Sequence, residues 1–353
     1  MSLAGISIEP FRGDYENLER MAHSAWRDEY GAASFPNLYQ PEYLKFLFEP
    51  IKDKQLLIAA YKGNEIVSFF ANLPRLYRFD GADYRGVLAC HLVTRKEYLR
   101  QGLALAIIDQ ALKLNERFKF DFALMYLEPG HRSTLMMNKL RDSGRPVHWV
   151  KKMNVLGRVL DLPRVCKSEG LKWWERGLVR VIRADQDPGP KTSGCCRDYQ
   201  ARDLNDCLAL LNQYQSKVRL ARAWTAEELA WELDHPEISK TLVYEKSGRV
   251  QGLINWTYHQ HIGNTTERWA WVNHVAYPEL SGSERLALVR DFLAYVKDRG
   301  CIGALEWTKK YYPMWPLYRS HFFPYFRAVN MIAWCFRPQL LIKNIPEVYE
   351  VQI

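Results

Sequence analysis

Cys90-His-Leu-Val-Thr-Arg-Lys-Glu-Tyr-Leu-Arg-Gln-Gly-Leu-Ala104, running on into Leu105-Ala-Ile-Ile-Asp-Gln-Ala-Leu-Lys-Leu-Asn115, is the stretch on which the reading of this chain turns. It reads as a buried strand, a polar turn carrying Gly102, and an amphipathic helix. A turn that ends on glycine and alanine at a helix start presents backbone N–H groups with the helix dipole behind them. That is a site for a phosphate or pyrophosphate. Gly102 lets the backbone approach an anion closely, and Ala104 keeps the first helical turn uncluttered.

Taken in register, Leu92, Thr94, Glu97, Tyr98, Gly102 and Ala104 resemble motif A of the GNAT superfamily of N-acetyltransferases. In that motif a strand ending Pro-Glu-Tyr leads to Arg or Gln, two further residues, Gly, one more residue, and Gly or Ala. Lys96 stands here where Pro is usual, and Leu99 where Arg or Gln is usual. The grip on phosphate is mostly backbone, and Arg95, Lys96 and Arg100 are at hand to supply charge. The resemblance implies that Leu92, Val93, Thr94, Leu99, Arg100, Gln101, Gly102, Leu103 and Ala104 bind the pyrophosphate end of coenzyme A.

The 353 residues allow two domains, and 48% hydrophobic with 25% charged content is that of a globular protein with ample core. No apolar run has transmembrane length, and Met1-Ser-Leu-Ala-Gly-Ile lacks the plan of a signal peptide. Seven scattered cysteines form neither a disulfide framework nor a zinc site, so a reducing cytoplasm and no metal are expected. The net charge of +9 favours anionic partners. No zinc-finger, helix-turn-helix or RNA-binding signature accompanies it, so nucleic acid is not expected among them.

Apolar spacing predicts strands over Ile6–Ile8, Gln55–Tyr61, Glu65–Leu73, Tyr84–Thr94, Phe120–Leu127 and Val147–Leu160. Helices are predicted over Tyr15–Trp26, Pro41–Phe48, Gly102–Arg117 and Ser133–Asp142. The same plan recurs after residue 196, with strands at Arg197–Tyr199, Thr241–Glu245, Val250–His259, Trp269–Tyr277, Gly303–Thr308 and Phe326–Phe336. Its helices are Asp203–Tyr214, Trp224–Asp234, Ser283–Asp298 and Met314–Ser320. The expected fold class is therefore α/β: two tandem GNAT-like domains, each a mixed central sheet flanked by helices. Residues 1–161 form the acyl-CoA-binding domain, 162–195 a basic helix and linker, and 196–353 a degenerate second domain with a tail.

The copies differ at their turns. The second has Ser281, Glu284 and Leu286 at the positions of Leu99, Gly102 and Ala104, and a carboxylate there repels pyrophosphate. The second keeps Leu317-Tyr318, which resembles the family's motif B, whose Tyr protonates the leaving thiolate. The first has Leu140 at that position. In the linker, Lys172, Arg176, Arg180 and Arg183 share one helical face opposite Trp174, Leu178 and Val181. A connecting helix packed on a domain is expected there. The basic face is short and no lipidation motif accompanies it, so no stable membrane association is expected.

The resemblance implies an acyl thioester held in a splay between Tyr84–Thr94 and Phe120–Leu127, its carbonyl polarised by a backbone N–H. An amine, small or peptidic, attacks directly in a ternary complex once a base has taken its proton. Glu128, at the end of the second splayed strand, is the favoured base, with His131 second and Tyr126 a candidate acid. His91 lies on the face alternate to Leu92 and Thr94 and is expected to pack under a helix. A second resemblance, to tandem N-myristoyltransferases, implies that Glu347–Ile353 returns to the cleft and offers a C-terminal carboxylate as base. The expected activity is N-acyl transfer, from acetyl-CoA first. The alternatives are a longer-chain acyl or Fem-like aminoacyl transferase and a non-catalytic acyl-CoA sensor.

Overall fold

The computed structural model describes residues 5–31, 34–189 and 194–350. The Ile353 carboxylate lies outside them. The first unit runs β1 (Ile6–Pro10), α1 (Tyr15–Tyr30), β2 (Phe35–Pro36), α2 (Pro41–Phe48), β3 (Leu57–Lys62), β4 (Glu65–Phe79), β5 (Ala82–Thr94), α3 (Leu103–Arg117), β6 (Phe122–Leu127), α4 (Arg132–Asp142) and β7 (Val147–Val159). Two helices follow, α5 (Leu162–Glu169) and α6 (Trp173–Val181). The second unit runs β8 (Cys196–Asp198), α7 (Leu204–Gln215), β9 (Leu220–Ala223), α8 (Ala226–Leu233), β10 (Ser239–Lys246), β11 (Arg249–Ile262), β12 (Thr266–Ala276), α9 (Gly282–Asp298), β13 (Gly303–Trp307), α10 (Trp315–Arg319), β14 (Phe323–Cys335) and β15 (Val348–Tyr349).

Local chemistry sets most boundaries. Asp14 caps α1 by accepting from the Asn17 N–H at 3.0 Å, and Leu18, Met21 and Ala22 below it are buried. Thr225 and Glu228 cap α8 reciprocally. Gly63 and Gly248 turn the β3–β4 and β10–β11 hairpins with φ of +61° and +75°. In α3 the buried Ile107, Ile108, Ala111 and Leu114 recur at helical spacing and hold it on the sheet; each large aliphatic is worth about 1.5–3 kcal/mol of burial.

The units are built on tandem GNAT-like lines but share one sheet, in the order β1-β3-β4-β5-β6-β14-β7-β13-β12-β11-β10-β8. The closing strands are exchanged. β14, from the second unit, lies antiparallel between β6 and β7, while β7, from the first, lies antiparallel to β13. Each unit thus completes its sheet with the other's last strand. β9 adds a further tie by pairing with Leu76–Phe79 of β4.

That exchange shapes the centre of the first unit. β5 and β6 run parallel and pair only over Gly86–Leu88 against Phe122–Leu124. Beyond Leu124, β6 stays with β14 as far as Leu127, opposite Asn330. β5 stays with β4, with a bulge opposite Phe69 and Ala71 at which His91 takes φ of +58°. A wedge opens between Ala89–Thr94 and Met125–Leu127.

Candidate functional site

The first intrahelical bond of α3 runs from the Ala106 N–H to the Gly102 carbonyl, so the N–H groups before it are left for another acceptor. Gly102 sits at the N-cap with φ of +85° and no side chain caps the helix. Arg100 is also left-handed, at φ of +62°, a strain of the kind held where a loop must be aimed. The Gln101 side chain donates to the Glu97 carbonyl at 2.6 Å and braces the turn. Lys96, Arg100, Arg132 and Lys139 line the space before it. Arg95 does not: its guanidinium is bound to Glu65 at 3.1 Å, which corrects its expected place among the phosphate-facing cations.

From this turn one cavity of about 1130 Å³ extends through the wedge. It exceeds the roughly 300–1,000 Å³ of ordinary small-molecule pockets. Leu92, Val93, Thr94, Leu99, Arg100 and Ala104 line it, and Gln101, Gly102 and Leu103 do not. Leu103 is buried and anchors the helix, while Thr94 Oγ1 meets Ser68 Oγ at 2.7 Å. One arm passes between α3, α4 and the sheet, walled by Ile108, Ala111, Leu112, Met125, Met137 and Leu140. Its polar interruption is the buried Asn72–Asn115 pair, bonded at 3.0 Å. A second arm reaches the junction of the units, where Trp26, Phe35 and Tyr39 face Trp271, Trp307 and Arg327.

The sequence candidates for chemistry stand together at the wedge. Glu128 follows the end of β6, is half-buried and lines the cavity. Its backbone carbonyl accepts from Thr134 Oγ1 at 2.6 Å and the His131 N–H at 3.2 Å. His131 caps α4, and its Nε2 lies 3.0 Å from Glu29 of α1. Tyr126 donates its hydroxyl to the Glu350 carbonyl at 3.2 Å, and burial keeps that phenol protonated far above its ordinary range. His91 packs against Tyr39 and Phe48 with Nε2 3.2 Å from the Leu38 carbonyl, and burial pushes it down to about 4. Among the described residues no group of three or more His, Cys, Asp or Glu side chains is placed to hold a metal ion.

The last described residues, up to Glu350, are part of this centre. β15 lies parallel to β9, and Glu350 beyond it forms a buried ion pair with Arg75. Beside them Arg222 binds Glu232 at 2.8 Å, and His274 lies 3.4 Å from the same carboxylate. Burial raises the Glu232 carboxyl, but Arg222 and His274 outweigh it and hold the group down to about 2.

The second unit treats its equivalent places differently. Ser281 and Glu284 close a capping box at the start of α9, and Lys246 binds Glu284 at 2.8 Å. Lys246 and the Ser281 donors hold that carboxyl down to about 2. β12 and β13 pair over Trp269–Trp271 with Gly303–Leu305, and the space beyond is filled from within. Lys309, fully buried and 3.2 Å from Glu306, donates to the carbonyls of Val272 at 3.1 Å and Asn273 at 2.6 Å. Tyr318 is half exposed on α10 and does not line the cavity.

Residue spacing could not reveal the walls contributed by Arg327, Val329, Trp334 and Phe336, which the exchanged β14 region brings to the first unit's cavity. The strand itself was legible; its neighbour was not.

No protein-family model matches the chain, and no curated protein sequence does. Its fold does resemble solved structures. Saccharomyces cerevisiae N-myristoyltransferase with bound myristoyl-CoA superposes with TM-score 0.78 at 15% identity, over 96% of this chain and 80% of that one. A second structure of that enzyme with myristoyl-CoA gives 0.77 at 15%, over 98% and 86%. A third, with myristoyl-CoA and inhibitors, gives 0.79 at 14%, over 100% and 84%. At these identities the likeness is one of fold, and the tandem GNAT-like fold is what this chain shares with those structures.

Proposed function

We propose that the protein is an acyl-CoA-dependent N-acyltransferase whose donor carries an acyl chain longer than acetyl. The observation that carries this reading is the continuity of one cavity from the uncapped α3 N-terminus, through the β5–β6 wedge, into the apolar arm beneath α3 and α4. The pyrophosphate rests on the first N–H groups of α3 with Arg100 and Lys96 beside it. The thioester lies in the wedge, its carbonyl accepting from a backbone N–H of β5. The chain beyond it enters the arm walled by Ile108, Ala111, Met125 and Met137. An acetyl group would leave that arm without contacts. The fold neighbours solved with myristoyl-CoA support the same choice.

In the reaction the amine nitrogen bonds to the thioester carbon, the C–S bond breaks, and the amine proton passes to Glu128 directly or through one water. The thiolate, whose thiol has a pKa near ~8.5, needs only weak help. Tyr126, whose hydroxyl stands at the wedge 3.2 Å from the Glu350 carbonyl, is the proposed hydrogen-bond donor to that thiolate, and His131 is the second candidate for the base. The acceptor amine, small or peptidic, enters through the aromatic arm between the units.

Titration calorimetry over a series of acyl-CoA lengths tests the donor. Affinity rises about fourfold per added methylene until the arm is full. Ala111→Trp, at a buried wall position, removes that gain while leaving short donors bound. Equal affinity for acetyl-CoA and dodecanoyl-CoA overturns the long-chain reading.

A further inference from the structure

α5 and α6 share one connecting segment yet sit differently. α5 buries Leu162, Val165 and Cys166, and the Asn264 N–H bonds to the Ser168 carbonyl at 2.9 Å. Gly263 is packed so closely there that a Cβ would meet the Ser168 oxygen at 2.4 Å. In α6 only Val179 is buried. The connecting helix expected at Leu171–Arg183 is α6, and unlike α5 it holds to the rest of the chain by Val179 alone.

The exposed side chains of α6 are the wrong ones for water. Trp173 is 84% exposed and Val181 81%, and Trp174, Leu178 and Ile182 are exposed with them. Isolated exposed apolar residues need no explanation, but five within ten positions form a patch. At 3.6 residues per turn these five cover the outward half of the helix, away from buried Val179. Lys172, Arg176, Arg180 and Arg183, all exposed, share the opposite face, where Arg176 and Arg180 border the Trp173 edge of the patch, against the single carboxylate Glu175.

We propose that α6 docks this protein on an anionic lipid bilayer, with the Trp173–Ile182 face entering the interface and Arg176 and Arg180 at its edge meeting lipid headgroups. The chemistry fits. Tryptophan favours the headgroup boundary, cations on the rim of an apolar face reach anionic lipid, and an amphipathic helix binds in the interface plane without crossing it. Among the described residues no helix is long and apolar enough to cross a membrane. A second copy of the chain fits less well, because it offers these exposed cations no anionic partner. The proposal stands on the α6 surface and holds whether or not the chain transfers acyl groups.

Sedimentation of the full chain with vesicles of phosphatidylcholine and roughly a third phosphatidylserine tests it, at about 0.15 M salt. The protein pellets with these vesicles and stays in the supernatant with phosphatidylcholine alone. Each cation lost lowers partitioning roughly fivefold, so Arg176→Glu with Arg180→Glu releases it. Trp173→Ser with Val181→Ser releases it too, while melting temperature and acyl-CoA affinity stay at wild-type values. No pelleting, or pelleting indifferent to the charge reversals, overturns the proposal. A concentration-dependent dimer that Trp173→Ser with Val181→Ser dissolves, without vesicle binding, assigns the face to a second copy and overturns it as well.

Discussion

α3 and α9 occupy equivalent places in the two units, each between parallel central strands, and their first turns do opposite things. α3 begins on a left-handed glycine with no side-chain cap, and its leading N–H groups face cations and an open cavity. α9 begins on Ser281 and Glu284, which satisfy the same N–H groups from within, and Lys246 neutralises the carboxylate. The strands repeat the contrast. The β5–β6 wedge is open, whereas the space beside β12 is plugged by Lys309 and by the Tyr311 hydroxyl, which accepts from the Val275 N–H at 2.8 Å. The two units set equivalent helices beside parallel strands. One helix start and wedge are open to a ligand, and the other is filled by the protein's own groups, which adds stability there.

The largest expected effects test the two ends of that contrast. In the open wedge, Glu128→Gln is nearly isosteric and lowers turnover about 10²–10⁴-fold with donor affinity kept. The loss shrinks at high pH, where more of the amine is already neutral. Equal pH–rate profiles for the two forms would move the base to His131. In the plugged wedge, burial raises Glu306 to about 7 even beside Lys309, so Lys309→Met leaves a buried carboxyl that takes up a proton and lowers unfolding free energy by about 1–3 kcal/mol in urea titration, with no loss of acyl-CoA affinity in the protein that remains folded. Reduced affinity without reduced stability would show that Lys309 serves a ligand.

The ionic interior of the second unit adds a pH arm to the same test. Glu232, held down to about 2 by Arg222 and His274 against the effect of burial, titrates below its unfolded value near ~4.3. Its contribution, roughly 3 kcal/mol, is therefore fully present above about pH 5 and is lost as pH falls toward 2. Glu232→Gln is the less stable protein at pH 6, and the gap narrows at pH 3. A gap independent of pH would remove the charge from the explanation.

Gly102→Glu comes next and acts mainly on the ligand. The substitution places a side chain at φ of +85°, costing about 1–2 kcal/mol, and sets a carboxylate against the phosphates. Acyl-CoA affinity falls about a hundredfold, while Glu284→Gln leaves it unchanged. Two donor sites per chain, or indifference to Gly102→Glu, would end the asymmetry argued from the two turns.

Much of this was legible because its causes are local. Strand alternation and helix spacing located β3 to β6 and α3, a Thr-x-x-Glu box announced α8, and Glu284 at a glycine position marked the second turn as closed. What escaped depends on distant partners. β9 and β15 exist because other strands offer them hydrogen bonds, not because Leu220–Ala223 or Val348–Tyr349 has a pattern of its own. The β14 exchange escaped for the same reason, and with it the walls at Arg327, Val329, Trp334 and Phe336. The exposure of Trp173 and Trp174 was hidden likewise: an amphipathic period shows that a helix has an apolar face, not whether a partner covers it.

The smallest effect is the most discriminating. Ser281→Ala removes the side-chain oxygen that accepts from the Glu284 N–H at 3.4 Å, while the Glu284 carboxylate keeps its own bond to the Ser281 N–H at 2.8 Å. Half the box survives, so the loss is about 1 kcal/mol in unfolding free energy, the usual size for an N-cap serine. The uncapped N–H does not create a second donor site, because Glu284 and the Lys309 plug remain in place. Denaturation should register the change and acyl-CoA calorimetry should not. A new anion site at α9 after so slight an edit would mean that the cap alone separates the two units. The plugged wedge would then be incidental to the difference between them.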